Sequence, residues 1–250
     1  MKSVVLKWFD KLSFPKEWKN CIEVNVTSAL SGEIAPDNHR DFLIKSLYDC
    51  EALEGFYKKK GIDEKILMHT LSDMLIWANN YNLITGKIGI NEHYWLGCHL
   101  SGRLFRLGRL QFCKGVMECD YSTLSLKKGD PIIEVHIPQG EPLLKKDCEA
   151  SITWAKEFFK SYFPEYEYNC FTCHSWLLDY ELKGFLRPES NIIGFQNMFD
   201  IIGYDESNQA MKYLFDINPD KTSQSFLQKK ILEHTTSGGK LHEGYGIILK

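Results

Sequence analysis

A chain of 250 residues with 44% hydrophobic and 25% charged side chains has the composition of a globular protein with a sizeable core, and it is wrong for disorder. Its formal net charge of −3 supplies no basic field, so neither nucleic acid nor an anionic membrane surface is an expected partner. No apolar run approaches the ~20 residues that span a bilayer, and Val4-Val5-Leu6 is too short for the apolar core of a signal peptide. The expected location is therefore cytoplasmic, with the eight cysteines as reduced thiols.

In the first half, Phe42, Leu43, Leu47, Cys50, Leu53 and Phe56 recur at close to 3.6 residues and predict a helix over Asp41–Tyr57, punctuated by Gly61. Asp63 caps a second helix with Ile66, Leu67, Leu71, Met74 and Ala78 on one stripe, ending at Asn79-Asn80 and Gly86. After His93 the texture changes to strands, and a boundary near Tyr94 separates a helical N-terminal domain, 1–94, from an alternating β/α region, 95–250. Arg103–Cys113 predicts a strand, a turn and a second strand running through Gly115-Val116. Lys127–Pro131 is a turn, Ile132–Ile137 a strand rich in β-branched residues, and Leu143–Tyr162 a helix that Pro164 stops. Beyond it come a strand at Tyr168–His174, a short helix at Trp176–Leu186, and a helix capped by Ser190 that runs through Phe199 and ends at Gly203. Lys212–Ile217 reads as a strand, Thr222–His234 as a capped helix and Leu241–Leu249 as a final strand. The fold class is α/β or α+β.

Three strings carry candidate chemistry. Cys170-Phe171-Thr172-Cys173-His174 matches the haem-attachment pattern C-x-x-C-H. It lies in a predicted strand, where residues three apart face opposite ways, and no export signal accompanies it, so no haem is expected. Zinc needs a second close ligand pair, and Cys113 and Cys119 do not make one, so no metal is expected either. What remains is His174 at a strand's carboxyl end, where open α/β sheets place their ligand crevices. An imidazole there can accept a substrate proton near neutral pH, or it can be a structural histidine bonded to a carbonyl.

The second string is the loop Pro138–Leu143 between strand and helix. Unpaired N–H groups at a helix start can hold a phosphate, and Gly140 allows close approach, though Glu141 opposes an anion and an ordinary turn reads equally well. The third is Arg103, Arg106 and Arg109, which either bind a carboxylate or phosphate or are solvated charges on an edge strand.

Strand Ile132–Ile137, loop Pro138–Leu143, helix Leu144–Tyr162, strand Tyr168–His174 and the Asn191-led helix closing on Gly203-Tyr204 together resemble the GNAT-like domain of bacterial N-acyltransferases. With the stretch from Arg103 through Cys173–Leu178 to Ser190-Asn191-Ile192, the chain is similar to an acyltransferase-like family that carries a separate helical N-terminal domain. The resemblance implies a GNAT-like mixed sheet flanked by helices, with an acyl-CoA, acetyl or longer, as co-substrate. Pantetheine would lie between two splayed central strands and pyrophosphate at the loop. It further implies Glu134 or His174 as the base that deprotonates a small amine, and a backbone N–H near Ile137 as the donor to the thioester carbonyl. Gln139, Gly140, Leu143 and Asn191 would hold the coenzyme. The loop here is shortened to Gln139-Gly140-Glu141-Pro142, and Phe199 stands where the family often has a proton-donating tyrosine. A different acid must then serve, or the thiolate leaves unassisted; the alternative is a non-catalytic GNAT-like protein that binds a metabolite or a partner.

Overall fold

The computed structural model describes residues 1–216 and 224–250, and the chain divides into two compact units, Met1–Arg106 and Leu107–Lys250. Ile217 and Thr222, included in two of the elements expected above, lie outside the described residues. All eight cysteines are free thiols. No helix among the described residues is long and apolar enough to cross a membrane.

The first unit is helical: α1 (Lys2–Lys11), α2 (Lys19–Ala29), α3 (His39–Lys60), α4 (Glu64–Thr85) and α5 (His93–Leu100). Local signals fix the two long helices. Asn38 accepts the Asp41 N–H at the start of α3, and Asp63 accepts the Lys65 N–H at the start of α4. Gly61 and Gly86 end them at φ 71° and 69°, left-handed values that a β-carbon disfavours. Asn79-Asn80 do not stop α4, which runs on to Thr85 with Asn80 buried. Strand texture begins at Leu104, after the helical turn of α5, rather than at His93. Val5, Trp8, Ile22, Leu43, Leu47, Leu53 and Tyr57 are among the core side chains of this unit. At its rim the Glu54 carboxylate receives Lys7 Nζ at 3.0 Å, Lys11 Nζ at 2.9 Å and Lys58 Nζ at 3.1 Å. Burial alone would raise this carboxyl, but the three ammonium groups outweigh it and hold it down at about 2.

The sheet of the second unit takes its first strand, β1 (Leu104–Leu107), from the boundary itself. It continues with β2 (Leu110–Val116), β3 (Pro131–His136), β4 (Cys170–Ser175), β5 (Asp200–Glu206) and β6 (His242–Leu249), in the order β1-β2-β3-β4-β6-β5. β3 and β4 are parallel, while β2–β3, β4–β6 and β5–β6 are antiparallel, so the sheet is mixed, as the resemblance implied. The long helix α6 (Lys145–Tyr162) supplies Cys148, Ile152, Ala155 and Phe159 to the core. Its Phe159 ring meets Tyr168, Tyr168 meets Phe171, and Phe171 meets Phe112, with centroids 5.2–6.0 Å apart.

Shorter helices complete the unit: α7 (Leu182–Phe185), α8 (Asn191–Gln196), α9 (Gln209–Met211) and α10 (Phe226–Thr236). A capping box between Ser225 and Gln228 starts α10. Several expectations are corrected here. Trp176–Leu186 is a 3₁₀ turn, Trp176–Leu178, followed by α7. The helix at Ser190 stops at Gln196, and Gly203-Tyr204 belong to β5, paired against Tyr245 and Gly244. Lys212–Asp216 is a π-helical turn, not a strand.

Candidate active site

In a sheet, residues paired in register share a face, and so does every second residue along a strand. Glu134 on β3 pairs with Thr172 on β4; His174, two residues on, pairs with Tyr245 on β6; Glu243, two residues before Tyr245, pairs with Asp205 on β5. Glu134, His174, Glu243, Tyr245 and Asp205 therefore line one face. The opposite face of β6 is pressed by other side chains. A β-carbon at Gly244 would lie 2.7 Å from Leu178 Cβ, and one at Gly246 would lie 2.8 Å from Phe199 Cβ. The two glycines let β6 lie against those neighbours and so fix which way Glu243 and Tyr245 point.

His174 is exposed, with Nε2 3.0 Å from Oε2 of the buried Glu243 and its ring stacked on Tyr245 at 3.8 Å and 13°. Tyr245 in turn donates its hydroxyl to Asp205 Oδ2 at 2.9 Å. Burial first, then the Asp205 carboxylate, pushes the Tyr245 phenol up, so it stays a donor across the physiological range. A carboxylate that takes one imidazole nitrogen sets the tautomer and leaves the other nitrogen as an acceptor. Here that second nitrogen is Nδ1. Glu134 is half-buried, its Oε2 3.5 Å from His136 Nε2, and a β-carbon at Gly115 would collide with its other oxygen. Gly115 thus makes the room that the Glu134 carboxylate occupies.

Beside these groups the sheet opens. Among the described residues β3 and β4 pair at Ile133 with Phe171 and at Glu134 with Thr172, yet β3 runs to His136 and β4 to Ser175. Past Glu134 the two strands part, and Ile137 follows at the end of β3. The loop then carries exposed Gln139 and Gly140, with Gly140 at φ 116° and open space where a β-carbon would sit. Leu143 is buried, and α6 starts at Lys145 with no side-chain cap on its first N–H groups. Asn191 opens α8 on the surface; one turn later, a β-carbon at Gly194 would lie 3.5 Å from Lys145 Cβ, which sets α8 beside the start of α6. Sheet face and loop thus flank the same parted strands.

Arg103 is exposed just before β1, with Nε donating to Ser101 Oγ at 3.3 Å, but the other two arginines are not solvated edge charges. Arg106 and Arg109 are buried, and Gly108 turns the chain between them, so they do not share one strand. Arg109 donates Nη1 to Pro138 O at 3.0 Å, Nη2 to Glu141 O at 2.7 Å and Nε to Pro142 O at 3.0 Å. Cys170 and Cys173 are buried packing residues of β4, and burial pushes the Cys173 thiol up. Among the described residues no three or more His, Cys, Asp and Glu side chains are grouped to hold a metal ion.

Residues 36–102 match the model of the N-acyltransferase N-terminal domain, and residues 104–248 that of the GNAT-like C-terminal domain. The chain belongs to this GNAT-like family. A search of curated proteins finds no match. Solved structures of similar fold include an acyltransferase in complex with decanoyl-CoA and teicoplanin. It is 21% identical, with a TM-score of 0.79, over 98% of this chain and 87% of its own. A mutant acyltransferase in complex with octanoyl-CoA is 20% identical, with a TM-score of 0.80 and the same coverage.

Glu243, Tyr245, Asp205 and the role of Arg109 were not visible to sequence reasoning. The signal available was the alternation along His242–Leu249, in which Glu243 and Tyr245 stand two apart with glycine between them.

Proposed function

We propose that the protein is an N-acyltransferase that moves an acyl group from an acyl-CoA to the amine of a small molecule. The observation that carries this reading is His174, held by Glu243 on the sheet face beside the point where β3 and β4 part. The loop supports a donor site as well. The peptide C=O and N–H point in opposite directions, so carbonyls of Pro138 and Pro142 turned to Arg109 send the N–H groups of Gln139 and Leu143 the other way. With Gly140, Asn191 and the uncapped start of α6, which bears Lys145 and Lys146, they suit a pyrophosphate. The solved relatives hold octanoyl- and decanoyl-CoA, which makes medium-chain thioesters the first donors to try.

In this reading the amine nitrogen attacks the thioester carbonyl carbon while its proton passes to His174 Nδ1. Glu243 stabilises the imidazolium. The backbone N–H at Ile137 faces the carbonyl oxygen as it gains charge. Collapse of the intermediate breaks the C–S bond, and the imidazolium returns its proton to the departing thiolate, giving an amide and free CoA thiol. One group serves as base and then acid because Phe199 is buried against Phe195 and carries no proton to give. Glu134, on the same face, is the alternative base.

Calorimetric titration with acetyl-, octanoyl- and decanoyl-CoA, followed by thiol release with a panel of amines that includes teicoplanin, tests the proposal. Binding with amine-dependent thiol release is expected. No binding to any thioester would sink it, and binding without release to any amine would favour a non-catalytic protein, the reading to which Phe199 and the shortened loop lend weight.

A further inference from the structure

We infer that Arg109 is the positioning residue of the donor site, acting through the loop rather than on the coenzyme; this rests on the acyl-CoA reading above. Arg109 is buried, and its guanidinium spends Nε, Nη1 and Nη2 on carbonyls spread over five residues of the loop. That fork is a geometry which lysine, a single point donor, cannot reproduce. Its own place is fixed from the other side. The Arg109 N–H donates to Ser151 Oγ at 2.8 Å, and that hydroxyl donates to Asp147 O in the first turns of α6 at 2.8 Å. Gly108 sits at φ 74°, and a β-carbon there would fall 2.8 Å from the same hydroxyl, so the β1–β2 turn rests directly on the helix. One residue therefore ties helix start and loop into a single body.

Two consequences follow from peptide geometry. The Pro138 and Pro142 carbonyls face inward, so the N–H groups of Gln139 and Leu143 face the ligand side. Pro142 has no N–H, so the Glu141 carbonyl serves as an anchor and nothing more. The guanidinium is buried beneath a loop whose one acidic residue, Glu141, is exposed. The short loop with a single glycine is thus set in shape by a residue 29 to 33 positions earlier in the chain.

The test compares two donors on Arg109→Lys: octanoyl-CoA, and the S-octanoyl N-acetylcysteamine thioester, which has the reacting end but no pyrophosphate. The expected result is a Kd and KM for octanoyl-CoA raised about tenfold, with the truncated donor's turnover changed less than about twofold. Unchanged affinity for octanoyl-CoA would overturn the inference, and so would equal losses with both donors, which mark a general structural defect. If Arg109→Lys does not fold, Ser151→Ala removes only the hydroxyl that anchors the Arg109 amide. A selective loss of about threefold with octanoyl-CoA is then expected, and no selectivity overturns the inference. Failure of the wild-type protein to bind any acyl-CoA is a separate outcome, which refutes the donor site itself.

Discussion

Replacing Glu54 by Gln removes the negative charge at the meeting point of Lys7, Lys11 and Lys58 while keeping the side chain's shape. The folded carboxyl titrates at about 2 against an ordinary 4.5. At about 1.36 kcal/mol per pKa unit, that difference is worth at most ~3 kcal/mol. Lys7 and Lys58 side chains are 41% and 73% exposed, so solvent and salt screen their share, and about 1–2 kcal/mol is the expected loss at pH 7. The sign follows from proton uptake. Between about pH 4.5 and 2 the unfolded carboxyl binds the proton that the folded one refuses. The stabilisation is therefore complete above pH 4.5 and fades as the pH falls towards 2. Urea unfolding of wild type and Glu54→Gln at pH 7, 5, 4 and 3 measures this directly. The gap between the two proteins should be constant from pH 7 to 5 and narrow below that. A gap that is absent at pH 7, or that keeps its size at pH 3, would refute the reasoning.

The remaining predictions concern the site. His174→Ala should cut amine-dependent turnover by about 10²–10⁴-fold while leaving the Kd for octanoyl-CoA within about twofold, read by thiol release and calorimetry. Glu243→Gln keeps the volume but loses the charge that orients the imidazole, and turnover should fall by about 10²-fold or more, read by the same thiol-release assay. If Glu134 is the base instead, Glu134→Gln will abolish turnover and both of those variants will remain active. Gly244→Ala drives a β-carbon into Leu178, whose carbonyl oxygen and Cβ both lie 2.7 Å away, and should cost about 1–3 kcal/mol in a thermal melt.

What the sequence made legible was local. Asp63 and the glycines at 61 and 86 act on their own neighbours, and the helices they bound lie where the spacing places them, whereas Ser190 caps its helix as expected but that helix ends at Gln196. Ile132–Ile137 could be read as a strand because its β-branched residues suit a buried sheet on their own. Asp200–Glu206 could not, since most of its residues stay exposed or half-buried and it becomes a strand through its partner β6. Lys212–Asp216 has aromatic and aliphatic residues that favour a strand, yet it coils, because no sheet edge in the described residues takes it up. The site divides the same way. His174 was readable from its place at a strand's end, whereas Glu243 reaches it across the sheet from a distant strand. Arg109 was misread for a similar reason, since its partners are main-chain carbonyls that no letter of the sequence announces.

The parting of β3 and β4 has a chemical meaning of its own. Where two neighbouring strands stop pairing, each still presents along its inner edge the N–H and C=O groups that pairing would have consumed. From Val135 and Cys173 onward those groups belong to the backbone, and a substitution can alter every side chain there without deleting one of them. A cleft of this kind recognises amides by their spacing, as a missing strand would. If the proposed donor site is right, substitutions of the surrounding side chains would leave this backbone edge in place.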